Sequence, residues 1–181
     1  MKYNKNQLQK YRQDALNFDE KLVLEDTAKK RFPKTVIALS ALQVKGSIRY
    51  LDNEDIILHA EITGNITLPS SRSLSPVTRD IHLVIDERYI EDEQRLKEFE
   101  ETEPVFILED DTLDVDTAIL DNIVAELPLQ ILTIEEIADD TLPSGKDWHV
   151  ISESAFENEK KGDNSSNFDS RFSKLDDFFK E

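Results

Sequence analysis

The chain has 181 residues, a formal net charge of −17 from 22 basic and 39 acidic side chains, and no cysteine. This length is enough for one domain with a real hydrophobic core. The lack of cysteine excludes disulfides, thiolate catalysis and thiolate-bound zinc, and the acidic balance argues against a protein that coats nucleic acid with cations over its whole surface. The apolar runs are too short for a membrane span and the first ten residues are polar, so the cytosol is the expected compartment.

Charge is distributed unevenly along the sequence. Residues 1–89 carry 14 basic and 12 acidic side chains, residues 90–121 carry 2 and 13, and residues 122–181 carry 6 and 14. No acidic residue occurs between positions 29 and 49, where the cations are Lys29, Lys30, Arg31, Lys34, Lys45 and Arg49. These runs fit either a local basic face on an acidic protein or two solvated surfaces.

The first half of the chain predicts a short N-terminal helix followed by strands. Apolar residues at spacings of three and four predict the helix over Asn4–Ala15, and residues 26–32 fit one helical turn that Pro33 ends. Alternating or β-branched segments predict strands at 18–24, 36–51, 56–68 and 81–86. The dipeptide Gly64-Asn65 predicts a turn or bulge that breaks the third of them.

The second half predicts an acidic loop, a short strand and the main helix. The loop spans about 90–104, and its lack of apolar periodicity is typical of a mobile segment. Residues 105–108 are a short apolar strand, and an apolar stripe predicts a helix over 113–126 that begins after Thr112 as its cap. The predicted fold class is α+β, with an antiparallel sheet that is curled or barrel-like.

The domain organisation follows from where periodicity ends. We expect a single α+β domain over residues 1–153 and a flexible polar linker over 154–167. An amphipathic tail over 168–181 follows, with an apolar face formed by Phe168, Phe172, Leu175 and Phe179. Such a tail either docks on a partner protein or folds back on its own domain.

The sequence offers no pattern for catalysis. The three histidines, at positions 59, 82 and 149, lack the helical spacing of a zinc motif, and the four glycines are scattered rather than grouped into a phosphate-binding loop. With 39 acidic residues, a pair of carboxylates carries almost no specificity. We therefore expect a non-enzymatic protein with no catalytic residue, no metal site and no cofactor.

Four segments, in order, carry a resemblance. They are Leu68-Pro-Ser-Ser-Arg-Ser-Leu-Ser-Pro-Val77, the helix end Glu126-Leu-Pro-Leu-Gln130, Gly145-Lys-Asp-Trp-His-Val-Ile-Ser-Glu153 and Asp169-Ser-Arg-Phe-Ser-Lys-Leu175. In this order and spacing the chain resembles the YceD family, the bacterial large-ribosomal-subunit RNA accumulation proteins.

The resemblance implies a non-enzymatic factor needed for normal levels of large-subunit ribosomal RNA, acting in a ribonucleoprotein context. Many members of that family have a Cys-x-x-Cys whose positions correspond to Ser70 and Ser73 here. Because this chain has serine at both, the resemblance implies no zinc site. Arg72, between them, matches the family's usual basic residue.

Two hypotheses follow for the mode of action. In the first, basic residues and one tryptophan contact large-subunit ribosomal RNA or its precursor, while the acidic loop faces a basic ribosomal protein; the candidates for the RNA contact are Lys29, Lys30, Arg31, Lys34, Lys45, Arg49, Arg72, Arg79, Lys146 and Trp148. Trp148 either stacks on a base or fills the core, and Arg72 either binds phosphate or stabilises its turn. In the alternative, the protein is an acidic chaperone or binding partner of a basic large-subunit ribosomal protein and contacts no RNA.

Overall fold

The structure, a computed structural model, describes residues 1–138, 144–151 and 156. It divides into two compact units, Met1–Thr133 and Ile134–Glu181. The predicted linker and tail, including Phe168, Phe172, Leu175 and Phe179, lie outside the described residues except for Phe156. The single domain over 1–153 stays a prediction.

The first unit contains eight described strands and three α-helices. The strands are β1 (Lys2–Asn4), β2 (Leu16–Leu22), β3 (Ala38–Leu39), β4 (Leu42–Tyr50), β5 (Ile56–Pro69), β6 (Pro76–Ile90), β7 (Val105–Ile107) and β8 (Thr112–Asp114). The helices are α1 (Lys5–Leu8), α2 (Glu25–Arg31) and α3 (Val115–Ala125), with short 3₁₀ segments at Gln9–Tyr11, Glu93–Glu98 and Glu109–Asp111.

One six-stranded sheet organises this unit, in the order β2-β4-β5-β6-β7, with β3 also pairing with β5. All its pairs are antiparallel except β6 with β7, which is parallel. A separate antiparallel pair joins β1 to β8. The predicted α+β class with an antiparallel sheet is confirmed. The sheet is open and does not close into a barrel, because β2 and β7 end it on opposite sides among the described strands.

The two faces of the sheet have opposite chemistry. Along β4, the side chains of Val44, Ile48 and Tyr50 are fully buried, while Lys45 and Arg49 between them are exposed. This period of two puts one row into the core and leaves the other on what we call the outer face. The core cluster also contains the buried stripe of α3 (Val115, Ala118, Ile119, Leu120 and Ile123). Each fully buried aliphatic side chain contributes about 1.5–3 kcal/mol of transfer free energy.

The structure corrects the predicted break in β5 and the predicted cap of α3. The dipeptide Gly64-Asn65 does not break β5, which pairs with β6 over its whole length. A Cβ on Gly64 would stand 2.6 Å from Leu42 Cδ2, so this glycine permits a close packing contact rather than a turn. The cap of α3 is Asp114 rather than Thr112, because Thr112 is the first residue of β8 and pairs with Asn4.

The second unit is described over a short helix, α4 (Ile134–Ala138), and a small hairpin. The hairpin pairs β9 (Ser144–Gly145) with β10 (Trp148–His149). In α4, Ile134 and Ile137 are exposed. No helix in the described part of the chain has the length and apolarity to cross a membrane.

Candidate functional site

The predicted basic cluster begins on α2, whose charges are ordered along its axis. Glu25 and Asp26 lie in the first turn and three cations in the last, an arrangement that the helix dipole favours. The cations here are Lys29, Lys30, Arg31 and, after Pro33, Lys34. All four are exposed.

Two of these four cations are engaged by carboxylates of the same chain. Lys29 Nζ lies 2.7 Å from Glu25 Oε1, and this contact holds the pKa of Glu25 below its ordinary value. Arg31 Nη2 lies 2.7 Å from Asp121 Oδ1 of α3. The other two, Lys30 and Lys34, form no ion pair with any residue that the structure describes.

Lys45 and Arg49 lie on the outer face, apart from the helix cations. The strand register places Lys45 between Asp19 of β2 and Glu61 of β5, so two acidic neighbours flank it. Arg49 stands opposite Ile57 and is exposed. The structure therefore does not gather the residues of positions 29–49 into one basic face, because β4 presents its cations on the side opposite the core that receives α2 and α3.

Arg72 belongs to a tight turn after β5. Ser70 is fully buried, and its Oγ accepts hydrogen bonds from the backbone N–H groups of Arg72 (3.0 Å) and Ser73 (3.3 Å). Ser71 forms two hydrogen bonds with Ile131. The N–H of Ser71 donates to the carbonyl of Ile131 at 2.7 Å, and the N–H of Ile131 donates to Ser71 Oγ at 2.9 Å. The backbone at Arg72 is thus fixed while its side chain is exposed, and both interpretations of this residue stay open.

The remaining predicted contact residues belong to β6 and to the hairpin of the second unit. Arg79 lies in β6 opposite Ile66 of β5 and is exposed. Lys146 is exposed in the turn of the β9–β10 hairpin, and Trp148 pairs with Gly145 in β10. The alternatives for Trp148 remain predictions.

A groove between β6, β7 and α3 was not anticipated from the sequence. It has a volume of about 370 Å³. The aromatic rings of Tyr89 and Phe106 form part of its wall. Their centroids lie 5.7 Å apart and their planes are inclined by 34°, and Phe106 is 45% exposed. Ile107, Ala118 and Ala125 add further apolar surface.

Carboxylates also line this groove. They are Glu87, Glu109, Asp114 and Asp121. Glu87 is buried, with 5% of its surface exposed, and accepts hydrogen bonds from Tyr89 Oη (2.5 Å) and Asn122 Nδ2 (2.6 Å). Burial, reinforced by Glu87, raises the pKa of Tyr89 far above its ordinary value, so the phenol stays protonated and keeps donating.

Asp114, which also lines the groove, both caps α3 and forms an ion pair with Lys2. Its carboxylate caps α3 by accepting from the N–H and Oγ1 of Thr117, at 3.3 and 2.9 Å, and it pairs with Lys2 at 2.9 Å. Partial burial alone would raise the pKa of Asp114, but the hydrogen bonds from Lys2 and Thr117 outweigh it and hold the pKa below its ordinary value. Glu109, by contrast, is exposed and in no ion pair among the described residues.

The acidic segment of residues 90–104 is anchored to the sheet. Arg95, in the 3₁₀ segment, donates two hydrogen bonds to the fully buried carboxylate of Asp55, at 2.6 and 3.3 Å, in a bidentate contact. Arg88 donates a third hydrogen bond to the same carboxylate at 3.1 Å. Burial of Asp55 would raise its pKa, but Arg95, with Asn53 and Arg88, outweighs that effect and lowers it. The segment is therefore tied down at its centre rather than free along its length.

A second tie lies at the start of this segment. Lys5 Nζ contacts Glu91 and lies 3.1 Å from Glu54. These contacts raise the pKa of Lys5 even though partial burial opposes them. The N-terminal helix α1 is thereby connected to the acidic segment.

Groups of three or more side chains able to hold a metal ion do not occur within the described part of the chain. Of the histidines, His59 faces Asp86 across the exposed outer face, with 2.6 Å between Nδ1 and Oδ1. The absence of enzymatic activity stays a prediction.

The groove could not have been located from periodicity, because its walls come from strands and a helix that are distant in sequence. One signal was available: the aromatic residues Tyr89 and Phe106 flank the acidic segment in the sequence, and Phe106 is soon followed by a second acidic run, Glu109-Asp110-Asp111. A large exposed aromatic residue within an acidic stretch is typical of a binding surface.

Comparison with known proteins gives one consistent result. No solved structure matches the chain. The chain is 30% identical over 154 residues to a protein of Bacillus subtilis (strain 168) described as "Uncharacterized protein YlbN", an alignment that covers 84% of this chain and 86% of that protein. The family model described as "Large ribosomal RNA subunit accumulation protein YceD" matches residues 58–179. The resemblance noted from the sequence is thereby confirmed, and the chain belongs to the YceD family.

Proposed function

We propose that this protein is a non-enzymatic binding factor that supports accumulation of large-subunit ribosomal RNA during ribosome biogenesis, with the cytosol as its place of action. The observation that carries the proposal is the family match over residues 58–179. The match covers most of β5, all of β6 and β7, the acidic segment and α3, while α2 lies outside it.

A depletion experiment tests this function. Cells of the source organism lacking the protein are expected to show a lower ratio of large- to small-subunit ribosomal RNA, restored by the wild-type chain. A ratio unchanged by loss of the protein would contradict the proposal. The ratio is preferable to total RNA because it cancels differences in growth and recovery.

We propose direct RNA contact through the end of α2 as the first mode of action. Lys30 and Lys34 support it, because both are exposed and outside the ion pairs that occupy Lys29 and Arg31. A cation without an internal partner can neutralise a phosphate and release counterions without first breaking a contact.

Charge reversal at these two positions tests the contact. For Lys30→Glu/Lys34→Glu we expect weaker binding to large-subunit RNA and a salt slope, of log affinity against log salt, lower by about two, since each lost phosphate contact removes about one. The control is Lys10→Glu/Lys21→Glu, an equal charge change at exposed residues outside α2. Equal slopes for both variants would exclude α2 as the RNA contact.

A second candidate function is supported by the groove. Three of its four carboxylates lie within residues 90–121, the part of the chain that has a net charge of −11, and the fourth, Glu87, lies just before it. Such a surface repels phosphate and attracts a basic protein. We propose, as the alternative, that the protein binds a basic large-subunit ribosomal protein and affects RNA levels through it.

A further inference from the structure

We infer that the groove between β6, β7 and α3 binds an extended, arginine- or lysine-bearing segment of a protein partner. The inference deepens the second candidate function and rests on it for the partner's class. Three independent features support this occupant: the charge of the groove, its aromatic wall, and the sheet edge beside it.

The charge of the groove fits a cation. None of the described residues that line it is basic, and four are carboxylates. Lys2 and Arg31 offset Asp114 and Asp121, which leaves the charges of Glu87 and Glu109 unbalanced by ion pairs in the described part of the chain. An RNA segment would bring phosphates against this surface, so the charge selects a basic protein segment over nucleic acid.

The aromatic wall fits the long side chain that carries such a cation. Arginine and lysine place their methylene stems on apolar surface and keep the charged group at a polar rim. The stem would pack on Phe106, Ala118 and Ala125, with the charged group beside Glu109 or Asp121. The ring of Phe106 is 45% exposed, so a guanidinium group can reach it and gain a cation–π contact.

The sheet edge explains why the segment would be extended. β7 ends the sheet on the side of the groove, and no described strand pairs with its far edge. β7 has three residues, so the free edge is short. A partner strand can add to such an edge through main-chain hydrogen bonds, and its alternate side chains then point into the neighbouring groove.

A charged peptide and its neutral counterpart test the inference on the full chain. The probe is a fluorescent octapeptide in which arginine alternates with threonine; its control has citrulline, a neutral isostere, at every arginine position. We expect the arginine peptide to bind at least about tenfold more tightly by fluorescence anisotropy. Equal affinities would overturn the inference.

Matched variants locate the binding. Glu109→Gln is expected to weaken the arginine peptide about threefold, as for one exposed charge pair, and Phe106→Ala about fivefold. Glu93→Gln and Val84→Ala, an exposed acid and an exposed apolar residue outside the groove lining, should leave affinity unchanged. If Glu93→Gln weakened binding as much as Glu109→Gln, the attraction would be diffuse and the groove would not be the site.

Methyl NMR of the wild-type protein gives a readout that needs no variant. Peptide binding should shift the methyl signals of Ile107 and Ala118 and leave that of Val84 on the outer face unchanged. Shifts confined to the outer face would overturn the inference. Because these tests use no RNA, a negative result here is separate from the depletion experiment, which tests the function itself.

Discussion

The two charged regions of this protein use their ion pairs differently. Two ion pairs fix the acidic segment: Arg95 pairs with the fully buried Asp55, and Lys5 pairs with Glu91. The basic end of α2 has pairs only at its surface, where both partners of Lys29–Glu25 are more than a third exposed. One region is anchored by buried charge, and the other carries charge that solvent screens.

This difference separates stability from binding. Breaking an ion pair with a buried carboxylate lowers the free energy of unfolding by several kcal/mol. An exposed pair contributes only about 0–1 kcal/mol to it. Substitutions at Asp55 should therefore act on folding. Substitutions at Lys30 and Lys34 should act on binding and leave folding almost unchanged.

The largest effect is expected for Asp55→Asn. The amide cannot balance two guanidinium groups, so Arg88 and Arg95 lose their shared carboxylate at a fully buried position. We expect the free energy of unfolding in urea to fall by about 3 kcal/mol.

The control for this variant is Asp52→Asn in the same turn, where the side chain is exposed. It should change the free energy of unfolding by less than about 0.5 kcal/mol. If both variants were equally stable, the acidic segment would not be anchored through Asp55.

An intermediate effect is expected on acidification. The pKa values of Asp55 and Asp114 lie below the ordinary 3.8 in the folded protein. A lowered pKa means that the carboxylate stabilises the fold above the unfolded-state pKa, and that this contribution is lost as pH falls through the folded-state pKa. Urea unfolding between about pH 5 and pH 2 should show falling stability, with a shallower fall for Asp55→Asn. Identical slopes for the variant and the wild type would contradict this assignment.

The smallest effect is expected on α2. Arg31→Gln removes the exposed pair with Asp121 and should lower the free energy of unfolding by about 0.5 kcal/mol, while Lys30→Gln, with no such pair, should leave it unchanged. Urea unfolding at low salt measures both, and 1 M salt should reduce the difference, leaving the part that comes from the Arg31 guanidinium over the Phe32 ring, 5.1 Å from its centroid. A larger loss for Lys30→Gln would mean that this lysine has a structural role and is a poor candidate for RNA contact.

Local sequence patterns predicted much of the framework. Alternation located β2 and β5, and the stripe of apolar residues located α3 within two residues of its ends. The strand β6 was predicted over 81–86 but spans Pro76–Ile90. Its ends carry polar residues such as Thr78 and Asp80, which are stabilised by pairing with β5 rather than by an apolar pattern of their own.

The contacts that define the candidate sites were beyond a local pattern. Arg95 and Asp55 are 40 residues apart, and β1 pairs with β8 more than a hundred residues away. Their pairing depends on the sheet order, which periodicity does not specify. The cations of positions 29–49 form one run in the sequence, but the strand register sends Lys45 to the outer face, between two acids.

The most direct test of the account is a pull-down of the full chain from its own cytosol, with and without ribonuclease, for the wild type, Lys30→Glu/Lys34→Glu and Glu109→Gln/Phe106→Ala. We predict that the wild type brings down large-subunit RNA and that Lys30→Glu/Lys34→Glu loses it. The alternative function predicts instead a basic ribosomal protein that is retained after ribonuclease and is lost from Glu109→Gln/Phe106→Ala. If the wild type brought down neither partner, or if neither variant differed from the wild type, both candidate functions would be contradicted.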